Sequence, residues 1–99
     1  MATSRKLVTI ITELSLENTL TRELETFKIS GYTISDVRGK GSKGERAGGW
    51  DASRNIRIEV VCNEENANAI NAMLQKKYYD NFAMVSFTQD VAVLRPEKF

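Results

Sequence analysis

The hydrophobic period of this chain switches repeatedly between two and 3.6 residues, and that alternation leaves few folds open to it. Lys6 to Thr12 reads Lys-Leu-Val-Thr-Ile-Ile-Thr, a β-branched, nearly all-apolar run typical of a strand covered on both faces. Leu16, Leu20, Leu24 and Phe27 then recur at helical spacing, with Ser15 as the expected N-cap, Glu17 favourable in the first turn and Gly31 as the stop. Tyr32 to Arg38 predicts a second strand. Asn55 to Cys62 predicts a third, in which Ile56, Ile58 and Val60 alternate with Asn55, Arg57 and Glu59. Asn63 can cap a second helix that opens with Glu64 and Glu65 and carries Ala67, Ile70, Leu74 and Tyr78 on one stripe. Phe82 to Phe87, continued through Val91 to Leu94, supplies the last strand, and Pro96 falls where that strand would end.

The resulting order, βαββαβ, is that of the α+β ferredoxin-like fold: a four-stranded antiparallel sheet with two helices on one face. Ninety-nine residues make one such domain. The face without helices has to be covered by something else. Val8, Ile10, Tyr32 and Ile34 are expected to lie on it, and cyclic oligomerisation would bury them. This fold hosts enzymes, RNA binders, metal-tolerance proteins and small-molecule sensors, so function has to come from the site.

Composition removes several function classes. Fourteen Lys and Arg against thirteen Asp and Glu leave the chain nearly neutral, which disfavours a general nucleic-acid binder. The chain has no histidine, the commonest general base and metal ligand. Cys62 is the single cysteine; without histidine it forms no nucleophile pair, and it reads as a small apolar filler. Carboxylates are scattered, Glu64 and Glu65 as first-turn charges, Asp80 and Asp90 as turn residues. No metal site or catalytic residue is expected. No apolar run is long enough to cross a bilayer and no secretory signal opens the chain, so a cytoplasmic protein without direct membrane insertion is expected.

Basic character is local. Arg38 to Trp50 holds five of the six glycines, four cationic side chains and the one tryptophan. Glycine lets successive N–H groups converge on one point, and Lys40, Lys43 and Arg46 add charge that a phosphate or carboxylate would offset. The same composition suits a solvated hairpin loop. The stretch lacks the Gly-Lys-Ser/Thr of a Walker A loop. Trp50, between Ala47-Gly48-Gly49 and Asp51-Ala52-Ser53, reads either as an indole folded back onto the protein or as an anchor for a partner.

Taken together these segments resemble PII signal-transduction proteins. Gly31 to Gly41 looks like the strand entering the PII T-loop, Asn55 to Val61 like the strand that leaves it, and Asp90 to Arg95 like the C-terminal strand. The opening Lys6 to Glu13, the Gly39-Lys40-Gly41-Ser42 run with Arg46 four residues on, and Lys77-Tyr78-Tyr79 are most similar to the PII-like branch linked to inorganic carbon, the SbtB and carboxysome-associated PII proteins. The resemblance implies a homotrimer with adenine nucleotides in clefts between subunits, AMP or ADP first, with cAMP and ATP in the same class, and bicarbonate joining the nucleotide in some members. It also implies a flexible T-loop over residues 39–53, and a bicarbonate transporter or carboxysome component as partner, which would recruit the protein to the membrane.

Carried over by position, Thr33, Gly39, Lys40, Gly41, Ser42, Lys43 and Arg46 match the T-loop side of the nucleotide site. Ala83, Met84 and Val85 match the segment whose backbone meets base or ribose, and Arg95 matches an arginine that reaches phosphate. Trp50 becomes the partner-contact candidate. The glycine-rich B-loop that cradles a triphosphate is absent, Tyr79-Asp80-Asn81-Phe82-Ala83-Met84 standing in its place, which favours a nucleotide with fewer phosphates. A CutA-type metal-tolerance protein on the same fold and a nucleotide-hydrolysing PII-like protein are the alternatives.

Overall fold

The computed structural model describes residues 2–39 and 54–99. Its centre is the antiparallel pairing of β1 (Thr3–Glu13) with β3 (Asn55–Cys62), running from Lys6 opposite Cys62 to Glu13 opposite Asn55. β2 (Thr33–Val37) flanks β3, and β4 (Val85–Val93) flanks β1, giving the order β2-β3-β1-β4 with every neighbour antiparallel. The helices α1 (Glu17–Leu24) and α2 (Glu64–Lys77) complete the βαββαβ order, the ferredoxin-like arrangement that the alternating periods predict. Thr3 to Arg5 pair with Val91 to Val93 beyond the last residue of β3, so β1 and β4 continue there as a two-stranded ribbon.

Alternation along the strands sorts the core. Val8, Ile10 and Thr12 of β1 and Ile56, Ile58, Val60 and Cys62 of β3 are buried under the helices together with Leu20, Leu24, Ala67, Ile70 and Leu74. Burying each large aliphatic side chain contributes about 1.5–3 kcal/mol. Ile34 and Tyr32 pack against the same core. Val8, Ile10, Tyr32 and Ile34 are therefore not on the uncovered face; a one-residue error in strand parity moves a whole set of side chains across the sheet. The uncovered face carries Leu7, Thr9 and Ile11 of β1, Arg57, Glu59 and Val61 of β3, and Val85 and Phe87 of β4. Phe87 is 50% exposed and Val85 51%.

Helix ends show one success and one correction. Asn63 Oδ1 accepts from the Asn66 amide at 2.8 Å, capping α2 as its sequence predicts. Ser15 does not cap α1. A 3-10 turn over Leu14–Leu16 precedes that helix, and the Ser15 hydroxyl donates to Glu13 Oε1 at 2.9 Å instead. α1 also ends at Leu24, well before Gly31, so Phe27 packs on the core from outside the helix. Asp90 is not a turn residue: it sits within β4 and pairs with Lys6, whose ammonium also lies 3.9 Å from Glu64. Lys77 Nζ donates to Glu23 Oε2 at 2.8 Å, tying α2 to α1.

These contacts set an alkaline limit. Hydrogen bonds to Asp90 and to Glu23 raise the ammonium pKa values of Lys6 and Lys77. Burial raises those of the Cys62 thiol and the Tyr78 phenol. In each case the folded state holds its proton to higher pH than the unfolded state does, so these contributions are complete at lower pH and are lost as pH rises. The ordinary values are 9.0 for Cys62 and 10.5 for the lysines, which places the loss above about pH 9. Denaturation midpoints across pH 7–11 should be level in the lower part of this range and fall above pH 9, with a shallower fall in Lys6→Met.

Candidate functional site

One end of the sheet gathers the C-terminus of β1, the entry and exit of the 40–53 segment, and the approach to β4. Val37 lies opposite Asn55, and Asn55 opposite Glu13. The Leu14 amide donates to the Arg54 carbonyl at 3.1 Å. The Thr12 hydroxyl donates to the Ala83 carbonyl at 3.4 Å, and Ile11 lies opposite Val85. Gly39 and Ala83 to Val85 thus belong to the same end of the molecule. They are not adjacent, because β2 and β4 are the two edges of the sheet, and three strand spacings put them roughly 14 Å apart. Met84 is buried, while Ala83 and Val85 are exposed. A Cβ added at Gly39 would meet nothing within 4 Å, so packing alone does not require glycine there.

Thr33 opens β2 at the other end of that strand, opposite Glu59. It lies on the uncovered face, where a cavity of about 430 Å³ is bounded by Leu7, Tyr32, Thr33, Glu59 and Val61 and, from the C-terminal tail, by Lys98 and Phe99. The tail reaches it through a 3-10 turn over Pro96–Lys98, in which the Lys98 amide donates to the Arg95 carbonyl at 3.0 Å. Val37 lies four positions along β2 from Thr33, about 13 Å at strand rise.

Arg95 follows β4 at the end remote from Ala83. Arg95 lies ten positions beyond Val85, roughly 33 Å along a strand, so one chain does not bring Arg95 and Ala83 to Val85 together. Its Nε lies 3.4 Å from Glu97 Oε2, both side chains well exposed, an arrangement of little energetic weight. Lys40, Gly41, Ser42, Lys43, Arg46 and Trp50 lie outside the described residues. Glu59, Val61, Lys98 and Phe99 line the same cavity as Thr33 and were not singled out from the sequence. The outward parity of Glu59 on β3 was visible, but its meeting with the tail depends on the turn after Pro96. Among the described residues there is no cluster of three or more His, Cys, Asp or Glu able to hold a metal, and no helix is long and apolar enough to cross a membrane.

Three comparisons bear on this geometry. No curated protein matches the chain. Its fold is that of a PII-like signaling protein from Thermus thermophilus, with a TM-score of 0.84 and 39% identity over 99% of this chain and 97% of the other. It is also similar to CPII, a nitrogen regulatory PII-like protein from Thiomonas intermedia. In complex with ADP, AMP and bicarbonate, CPII matches at TM-score 0.86 and 27% identity, over 100% of this chain and 96% of its own. In complex with ADP and bicarbonate it matches at TM-score 0.86 and 29% identity, over 100% and 97%. The family model for nitrogen regulatory protein P-II covers residues 5–98. With strand order, helix placement and near-complete coverage in agreement, the chain belongs to the P-II family of regulatory proteins.

Proposed function

We propose that this protein is a non-catalytic, homotrimeric PII-like sensor in which AMP or ADP, joined by bicarbonate, binds in clefts between subunits and orders the T-loop over residues 39–53. The ordered loop then changes contact with a partner in inorganic-carbon uptake or storage, a bicarbonate transporter or a carboxysome component, and recruits the cytoplasmic protein to the membrane in the first case. The observation that carries this reading is the separation of the candidate residues: Arg95 and Ala83 to Val85 stand at opposite ends of β4, so a shared site needs a second copy. The half-exposed apolar side chains of the uncovered face supply a surface for that copy. CPII, with its ADP, AMP and bicarbonate complexes, supports the choice of ligands. In this reading Thr33 and Glu59 face the base, Lys40, Ser42, Lys43 and Arg46 meet the phosphates, and Gly39 and Gly41 let the loop close.

Light scattering and a nucleotide panel test this directly. The solution mass should be that of a trimer, and AMP or ADP should raise the melting temperature more than GMP or GDP, with a further rise on adding bicarbonate. A ligand at a hundred times its dissociation constant adds about 2.7 kcal/mol, several degrees for a domain of this size. A monomer, or equal shifts for adenine and guanine nucleotides, overturns the reading.

Arg46→Ala and Arg95→Ala should each weaken nucleotide binding in calorimetric titration by roughly ten- to hundredfold, the loss of a charge-assisted hydrogen bond of about 1.5–3 kcal/mol. Their melting temperatures without ligand should stay close to the parent's. Trp50 reports the switch itself: iodide should quench its emission in the empty protein and do so less once nucleotide and bicarbonate are present. A protected indole that ignores every ligand rules out Trp50 as part of a switch.

A further inference from the structure

Three strands and the C-terminal tail form a slot on the uncovered face of the sheet. Leu7 of β1 lies directly opposite Val61 of β3, and Thr33 of β2 opposite Glu59 of β3. All four border the cavity of about 430 Å³, so its floor is aliphatic over β1 and polar toward β2. A volume of this size falls in the range of small-molecule sites. The tail reaches the same cavity through its 3-10 turn, in which the Lys98 amide donates to the Arg95 carbonyl at 3.0 Å and the Phe99 amide to the Pro96 carbonyl at 3.1 Å. That turn sets Lys98 and Phe99 against the cavity. Phe99 is 44% exposed and stands outside the core and the side chains packed on it. Among the described residues Glu59 and Lys98 form no ion pair, so a carboxylate and an ammonium are left to the edge of the slot.

We infer that Phe99 is a base-stacking residue of the nucleotide site. Its ring covers one face of the base while Leu7 and Val61 take the other, with Thr33, Glu59 and Lys98 at the base's edge. This rests on the reading above, in which the base sits at Thr33 and Glu59, and adds the tail to it. A nucleobase presents two flat apolar faces and a rim of donors and acceptors. An aliphatic floor, an aromatic neighbour and a charged edge match those parts one by one. Stacking accepts every base, because each has a π-face. Phe99 therefore supplies affinity, and the choice among bases stays with the polar edge. The ring is positioned by backbone hydrogen bonds of a short turn and not by core packing, so it settles on a base without disturbing the fold.

Calorimetric titration of the full chain with ADP and with GDP, and proton NMR of the bound adenine, test this. Phe99→Leu keeps an apolar side chain and removes the flat ring. It should weaken both nucleotides by the same factor, about tenfold or more, and leave their ratio as in the parent. Phe99→Tyr retains the ring and should bind ADP within roughly twofold of the parent. The ring-proton resonances of adenine should move upfield on binding to the parent and to Phe99→Tyr, through the ring current of a stacked aromatic, and less on binding to Phe99→Leu. Without ligand both variants should melt close to the parent, since Phe99 lies outside the core. Parental ADP affinity in Phe99→Leu, or adenine resonances that shift equally in all three proteins, overturns the inference and leaves the nucleotide reading standing. No binding of ADP to the parent overturns both.

Discussion

Everything in this molecule hangs on the register between β1 and β3. Lys6 opposite Cys62 and Glu13 opposite Asn55 place Val8, Ile10, Ile58 and Val60 under the helices and leave Leu7, Thr9, Glu59 and Val61 on the far side. A slip of one residue would exchange the two sets, exposing the aliphatic core and burying Glu59 and Arg57. The cost of burying those charges unpaired, added to the aliphatic burial lost, is what holds the register. The flanking strands follow: β2 finds its place from Ile34 opposite Ile58, and β4 from Ser86 opposite Ile10.

The same register decides where function can sit. Because β1 and β3 occupy the middle, the 40–53 segment springs from one side of the sheet and Ala83 to Val85 from the other. The C-terminal tail leaves from the far end of β4. In the proposed reading a ligand that touches all three would bridge copies of the chain, so assembly and ligand binding would be one equilibrium, with nucleotide stabilising the assembly to the extent that it contacts both copies. Thr33 and Glu59 are held in place by strand pairing, and in the proposed reading that preorganises them for a flat base. In sequence, Lys40, Lys43 and Arg46 follow β2, and in the proposed reading they meet the phosphates.

How much of this was legible depended on whether the determining contact is local. The stripe Ala67, Ile70, Leu74 and Tyr78 and the Asn63 cap are decided within a few residues of chain, and they read correctly. The start of α1 did not, because the 3-10 turn over Leu14–Leu16 takes the place that a Ser15 cap would have used, with Ser15 turned to Glu13. Asp90 was misread for a longer-range reason: its partner Lys6 is the first β1 residue to meet β3, far away in sequence. Strand parity on β1 could not be read from a run in which both faces are apolar. Around the candidate site, resemblance named Thr33, whereas Glu59, Lys98 and Phe99 come to line the same cavity only once β3 is paired and the tail has turned at Pro96.

A chain with no histidine and one buried thiol has few means of responding to its surroundings except charge and shape. The raised pKa values of Lys6, Cys62, Lys77 and Tyr78 lie on groups whose ordinary values are well above neutrality. In the proposed reading Arg38 to Arg46 holds four cationic side chains and a single carboxylate, Glu45, so a negative ligand would offset a local excess of positive charge. On its sheet side the point where β2 and β3 part is tied by Val37 opposite Asn55 and by the Leu14 amide on the Arg54 carbonyl.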